Sequence, residues 1–131
     1  MKYIAITLLS MLLFNMTVPA AQTRDMLTIK AGQQKVDKAS GLRIKFVSVV
    51  EDSRCPVDVD CIHAGNAKIK VRVTGGRSSK DFEFNTTMGP KGDMLDGWAI
   101  YLEELTPMPR SNKKTNPKLY TAKFKVTRLT R

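Results

Sequence analysis

Both cysteines, the only histidine and four of the twelve acidic side chains of this 131-residue chain fall between Glu51 and His63. Three kinds of chemistry draw on such residues. Cys55 and Cys61 could be redox thiols, soft metal ligands or a disulfide. Their C-x5-C spacing and the lack of a surrounding βαβ pattern argue against a thioredoxin-like pair, which needs C-x-x-C. With His63 they make three ligands, whereas a structural zinc site uses four. Met88, Met94 and Met108 could complete a copper(I) set, but they read more simply as core or loop filler. The carboxylates Glu51, Asp52, Asp58 and Asp60 suit a hard cation, and Asp58-x-Asp60 is a familiar fragment of calcium loops. The EF-hand pattern is absent, however, because neither its glycine nor its terminal glutamate stands at the required offset. No cofactor or metal is assigned; Asp52, Asp58 and Asp60 remain the candidates for a calcium ion. Their alternative roles are turn capping and pairing with Arg54. His63 has no nucleophile tied to it by a known motif, so no catalytic triad can be built. It is expected to pack beside the cysteines.

Which fate the cysteines take depends on the compartment, and the N-terminus speaks to that. Met1-Lys2 is a short positive start, Ile4 to Phe14 is an apolar run, and Val18-Pro19-Ala20 ends in small residues. That layout predicts a signal peptide over 1–20, with an apolar run too short for a transmembrane helix. Residues 21–131 then form a single domain, expected to be a monomer in the periplasm or outside the cell, with no transmembrane segment after cleavage. An exported domain with two cysteines is expected to join them. Losing Lys2, the one charged residue of the leader, lowers the formal charge from +10 to +9. Such a balance favours an anionic envelope component or a secreted acidic protein as partner, and export argues against nucleic acid.

The elements that must position these residues are strands. No segment sustains a 3.6-residue period. Met26 to Lys30, Gln33 to Asp37 and Leu42 to Val50 read as the first three, the last with Leu42, Ile44 and Phe46 on one face and Val47 and Val49 on the other. In Asn66 to Thr74, Ala67, Ile69, Val71 and Val73 alternate with Lys68, Lys70, Arg72 and Thr74, giving an apolar face and a basic one. Gly75-Gly76 turns that strand into Lys80 to Thr86, a hairpin with Phe82 and Phe84 inward. Met88 to Gly97 reads as loop. Trp98 to Leu105 resumes the β pattern, although its Glu103-Glu104-Leu105 ending leaves a short helix open. A proline-rich loop over 106–117 precedes a last strand, Lys118 to Leu129. About seven short strands predict an all-β, antiparallel β-sandwich with one disulfide-closed loop, a small barrel being the alternative.

The sequence D-S-R-C-P-x-x-V-x-C-x-x-A-G-N-A at 52–67, followed by a period-2 strand, resembles the signature of an uncharacterised family of small secreted bacterial proteins. L-T-P-M-P at 105–109 and Leu119-Tyr120-x-Ala122-x-Phe124-x-Val126 are similar to its C-terminal half. That family carries an aromatic residue, usually Trp, where this chain has His63. The resemblance implies a secreted, disulfide-bearing β domain and brings no activity with it.

The function expected is therefore an extracytoplasmic binding or accessory module. Its candidate binding loop holds Asp52, Arg54, Asp58, Asp60 and His63. Its candidate basic face holds Lys68, Lys70 and Arg72, with Lys123 and Lys125 alongside if their strands are neighbours. The alternatives are an inhibitor of a secreted hydrolase, suggested by a rigid disulfide loop, and a calcium-binding β domain. An enzyme is not expected, since the chain has no phosphate loop or nucleophile elbow. A hydrolase built on Asp93, Asp96, Glu103 and Glu104 would require those carboxylates to converge.

Overall fold

The computed structural model describes residues 26–130; the expected signal peptide lies outside them. Eight strands run in chain order: β1 (Leu27–Lys30), β2 (Gln34–Val36), β3 (Arg43–Asp52), β4 (Ala67–Thr74), β5 (Ser79–Asn85), β6 (Gly92–Leu95), β7 (Trp98–Thr106) and β8 (Thr121–Arg128). They form two antiparallel four-stranded sheets, β1-β8-β7-β6 and β2-β3-β4-β5. The sheets face each other without closing into a barrel. Ile44, Phe46, Ile69, Val71 and Phe84 from one meet Ile29, Ile100, Leu102 and Phe124 from the other in a single core. Phe46 and Phe124 touch edge to face across the gap, their ring centroids 6.5 Å apart. No helix among the described residues is long and apolar enough to cross a membrane.

The period-2 residues of β4 and β5 sit where alternation puts them. Ala67, Ile69, Val71 and Val73 are fully buried, and Phe82 and Phe84 oppose Val71 and Ile69. Two departures from simple alternation matter more. In β3 the register against β4 slips after Phe46 and again after Val49. Each slip is a bulge that adds one residue and reverses the facing. The inward series therefore becomes Leu42, Ile44, Phe46, Val49, Asp52, and Asp52 lies opposite the buried Ala67. A similar slip in β7 between Leu102 and Glu104 lets both Leu102 and Leu105 face the core. The Glu-Glu-Leu ending is thus a bulged strand and not a helix.

The eighth strand is β6, within the stretch read as loop. Asp96 and Gly97, with φ of 49° and 82°, make the two-residue turn that folds it onto β7. Both angles suit the turn type that matches the strand twist, and Asp-Gly is its preferred dipeptide. Gly92-Asp93-Met94-Leu95 has almost no β character of its own, so the turn was the only local signal of the strand.

Candidate functional site

Three connections meet at one end of the sandwich: 53–66 between β3 and β4, 86–91 between β5 and β6, and 107–120 between β7 and β8. Asp52, the last residue of β3, aims into the seam between the sheets there. Arg54 curls back onto it with Nε and one terminal nitrogen donating to the two carboxylate oxygens, each at 2.8 Å. The guanidinium also donates to the Leu105 carbonyl at 2.6 Å, to the Pro107 carbonyl at 2.9 Å and to the Met108 sulfur. Tyr120, arriving from the far loop, donates its hydroxyl to Asp52 at 2.9 Å. Both charged side chains are more than nine-tenths buried. Burial pushes the Asp52 carboxyl up, but the hydrogen bonds from Arg54 and Tyr120 and the Arg54 charge outweigh it, and its pKa falls below the ordinary value. Burial, then the bond to Asp52, raises the Tyr120 phenol above its usual range.

The rest of the signature is equally structural. Ser53 and Asn66 exchange backbone and hydroxyl hydrogen bonds that close the neck of the loop. Gly65 has φ +69°, and a Cβ there would run into the Ser53 carbonyl, so only glycine fits. Asn66 donates to Asn85 and accepts from the backbone N–H groups of Thr87 and Met88, pinning the β5–β6 connection. Asn85 is itself buried, and its side chain also donates to the Pro90 carbonyl. Among the described residues every buried side-chain nitrogen and oxygen has a partner.

Cys55 and Cys61 are joined in a disulfide, with Cα atoms 5.9 Å apart. Between them Asp58 grips the neighbouring loop: it accepts from the Ser111 backbone N–H at 2.9 Å and from the Ser111 hydroxyl. Those bonds hold the exposed Asp58 carboxyl below its ordinary pKa. The Val57 N–H adds a bond to the Pro109 carbonyl. Two loops remote in sequence are thus clamped together.

Of the five candidate binding-loop residues, then, Asp52 and Arg54 point inward and brace the fold, and Asp58 is occupied with Ser111. Asp60 is exposed. His63 is exposed too. With Asp52 turned toward Arg54 and Asp58 toward Ser111, the three proposed calcium ligands do not converge. No three His, Cys, Asp or Glu side chains among the described residues come together to hold a metal ion.

What the loop does present is apolar. Ile62 is 96 % exposed, with Val57 at 54 % and Val59 at 43 %. Nothing in the sequence marks these three as a site, because isolated aliphatic residues in a loop carry no motif. Their one signal was that the loop is otherwise polar and closed by a disulfide, leaving them nowhere to be buried.

The candidate basic face divides. Lys68, Lys70 and Arg72 stand on the outside of one sheet, whereas Lys123 and Lys125 belong to β8 in the other, so the two groups lie on opposite faces. The first group is also matched by acids of β5. Lys68 meets Glu83 at 3.9 Å, Lys70 meets Asp81 at 3.8 Å, and Arg72 meets Asp81 at 2.7 Å. The Arg72 hydrogen bond and charge lower the Asp81 pKa. Lys123 pairs with Glu104. The four carboxylates considered for a hydrolase are strung along the β6–β7 hairpin: Asp96 in its turn, Asp93 opposite Ile100, Glu103 in the bulge and Glu104 opposite Lys123. At about 3.3 Å per strand residue, Asp96 and Glu104 lie far beyond catalytic separation.

Basic residues do cluster elsewhere. Arg110 and Lys113 bridge a tight turn, with Lys114 next to them, beside a cleft of about 430 Å³. This turn is the one that Asp58 holds through Ser111. No protein family, curated protein or solved structure matches the chain.

Proposed function

We propose that the protein is an extracytoplasmic binding module that recognises a protein partner through the tip of its disulfide loop. The observation that carries this reading is Ile62, an isoleucine left almost wholly in solvent on a loop that is otherwise fastened down. Burying such a side chain in a partner would gain roughly 1.5–3 kcal/mol. The disulfide, the Asp58–Ser111 clamp and the Ser53–Asn66 neck preorganise the loop, so little ordering entropy opposes docking. Val57 and Val59 extend the apolar contact, and Asp60 and His63 supply a polar rim. The disulfide supports an oxidising compartment, in keeping with the leader-like segment at 1–20 and its resemblance to secreted proteins. Dispersed carboxylates favour binding over catalysis.

The test is capture from envelope extract with the oxidised domain as bait, beside Ile62→Asp and Lys70→Gln baits. A protein retained by the wild type and by Lys70→Gln, but lost with Ile62→Asp, supports the reading. Equal retention by all three baits, or by none, defeats it. The same protrusion suits the inhibitor reading, in which Ile62 would enter the specificity pocket of a secreted hydrolase. Residual activity of secreted proteases and a muramidase, measured with wild type and Ile62→Asp, separates an inhibitor from a module that leaves its partner active.

A further inference from the structure

The cleft beside the Arg110–Lys114 turn brings three cations together with apolar side chains. On the sheet faces Lys68, Lys70, Arg72 and Lys123 stand against acids. Among the described residues, Arg110, Lys113 and Lys114 form no ion pair and no acidic side chain lines the cleft, although Glu51 and Asp52 line the hollow on the other side of the turn. Three like charges on one turn repel, and an anion would relieve that. Pro107, Met108 and Leu119 supply an apolar part of the lining. Met108 is 43 % exposed and Leu119 62 % exposed, a costly placement for side chains that could pack. A volume of about 430 Å³ is in the range of small-molecule sites, which combine apolar walls with a few placed polar groups.

The walls are also held in place. Asp58 fixes the turn through both the backbone and hydroxyl of Ser111. Pro107 is held by its carbonyl to the buried Arg54. Asn116 caps the short 3-10 turn Pro117–Leu119 by accepting from the Lys118 N–H, which sets the position of Leu119.

We infer that this cleft binds a small anionic amphiphile, with its phosphate or carboxylate head met by Arg110, Lys113 and Lys114 and its hydrocarbon lying against Met108 and Leu119. The site shares no residue with the Ile62 tip, so either assignment can fail without the other.

Calorimetry on the oxidised domain with octyl phosphate tests the inference, using inorganic phosphate, octanol and octyltrimethylammonium as comparison probes. Octyl phosphate should bind at least tenfold more tightly than each of the other three. Lys113→Gln/Lys114→Gln should weaken it about tenfold or more, whereas Lys38→Gln/Arg77→Gln, an equal charge loss at the far end, should leave it unchanged. Leu119→Ser should weaken octyl phosphate but not inorganic phosphate. Melting curves of each variant establish that it is folded. Equal binding of octyl phosphate and inorganic phosphate overturns the inference, as does indifference to the Lys113/Lys114 changes. Co-sedimentation with phosphatidylglycerol vesicles, beside phosphatidylcholine vesicles, then distinguishes a lipid head group from a dispersed amphiphile as the source of the ligand.

Discussion

Arg54 shows how differently one residue reads before and after folding. In sequence it is a cation in a polar loop; in the fold it is a buried clasp joining β3 to the end of β7. Removing it strands the Asp52 charge, so Arg54→Ala should destabilise by about 3–5 kcal/mol in urea unfolding. Replacing both partners, as in Asp52→Asn/Arg54→Met, should cost less than Arg54→Ala alone, because no bare charge remains. The pH profile follows from the same cluster. The folded pKa of Asp52 is depressed, so its contribution is complete above the ordinary value of 3.8 and is lost as pH falls through the lower folded value. The folded pKa of Tyr120 is raised, so its contribution is complete below 10.0 and is lost as pH rises through the higher folded value. Stability measured from pH 2 to 11 should therefore fall at both ends, and Asp52→Asn should flatten the acid limb. An acid limb unchanged by that substitution would assign the fall to other carboxylates.

At the scale of elements, the loop 53–66 is a fastened unit whose closure depends on several weak devices. The disulfide closes a short ring, worth roughly 2 kcal/mol on the chain-entropy model. Cys55→Ser/Cys61→Ser should lower stability by about that amount while the Arg54 clasp persists. The Asp58–Ser111 bonds are exposed, so Asp58→Asn should change global stability by less than about 1 kcal/mol. Its effect should be local: amide exchange at Val57 and Ser111 should quicken, with the β4 amides unchanged. The bulges of β3 and β7 are the other element-level devices. They turn Asp52 and Leu105 toward the seam and so bring the clasp together. Alternation in Leu42–Phe46 and Ala67–Val73 was legible because each such strand needs only one buried face. The bulges were not, since an extra residue is recognised only against the partner strand.

For the whole molecule, the two sheets share one core and should unfold together. Phe124→Ala removes the ring that meets Phe46 across the gap, and should cost about 3–5 kcal/mol. Trp98 fluorescence and far-UV circular dichroism should then report one coincident transition. Separate midpoints would show that the sheets are not a single cooperative unit. Charge is distributed at this scale as well. Lys68, Lys70, Arg72 and Lys123 are paired on the sheet faces, whereas Arg110, Lys113 and Lys114 gather on one turn outside any ion pair, and total charge alone could not locate them.

Residue order by itself determined the all-β antiparallel class, the β4–β5 hairpin, the inward Phe82 and Phe84, and a disulfide between Cys55 and Cys61, while leaving a small barrel open beside the sandwich. These rest on local alternation, turn chemistry and the pairing of two cysteines in a short segment. Only the tertiary structure decided that β6 exists, that Asp52 and Arg54 turn inward, and that Lys68 and Lys123 occupy opposite faces. It alone left Ile62 without cover. The reason is physical: alternation specifies which side of a strand is apolar, whereas facing after a bulge, sheet membership and the fate of a loop side chain depend on partners far along the chain.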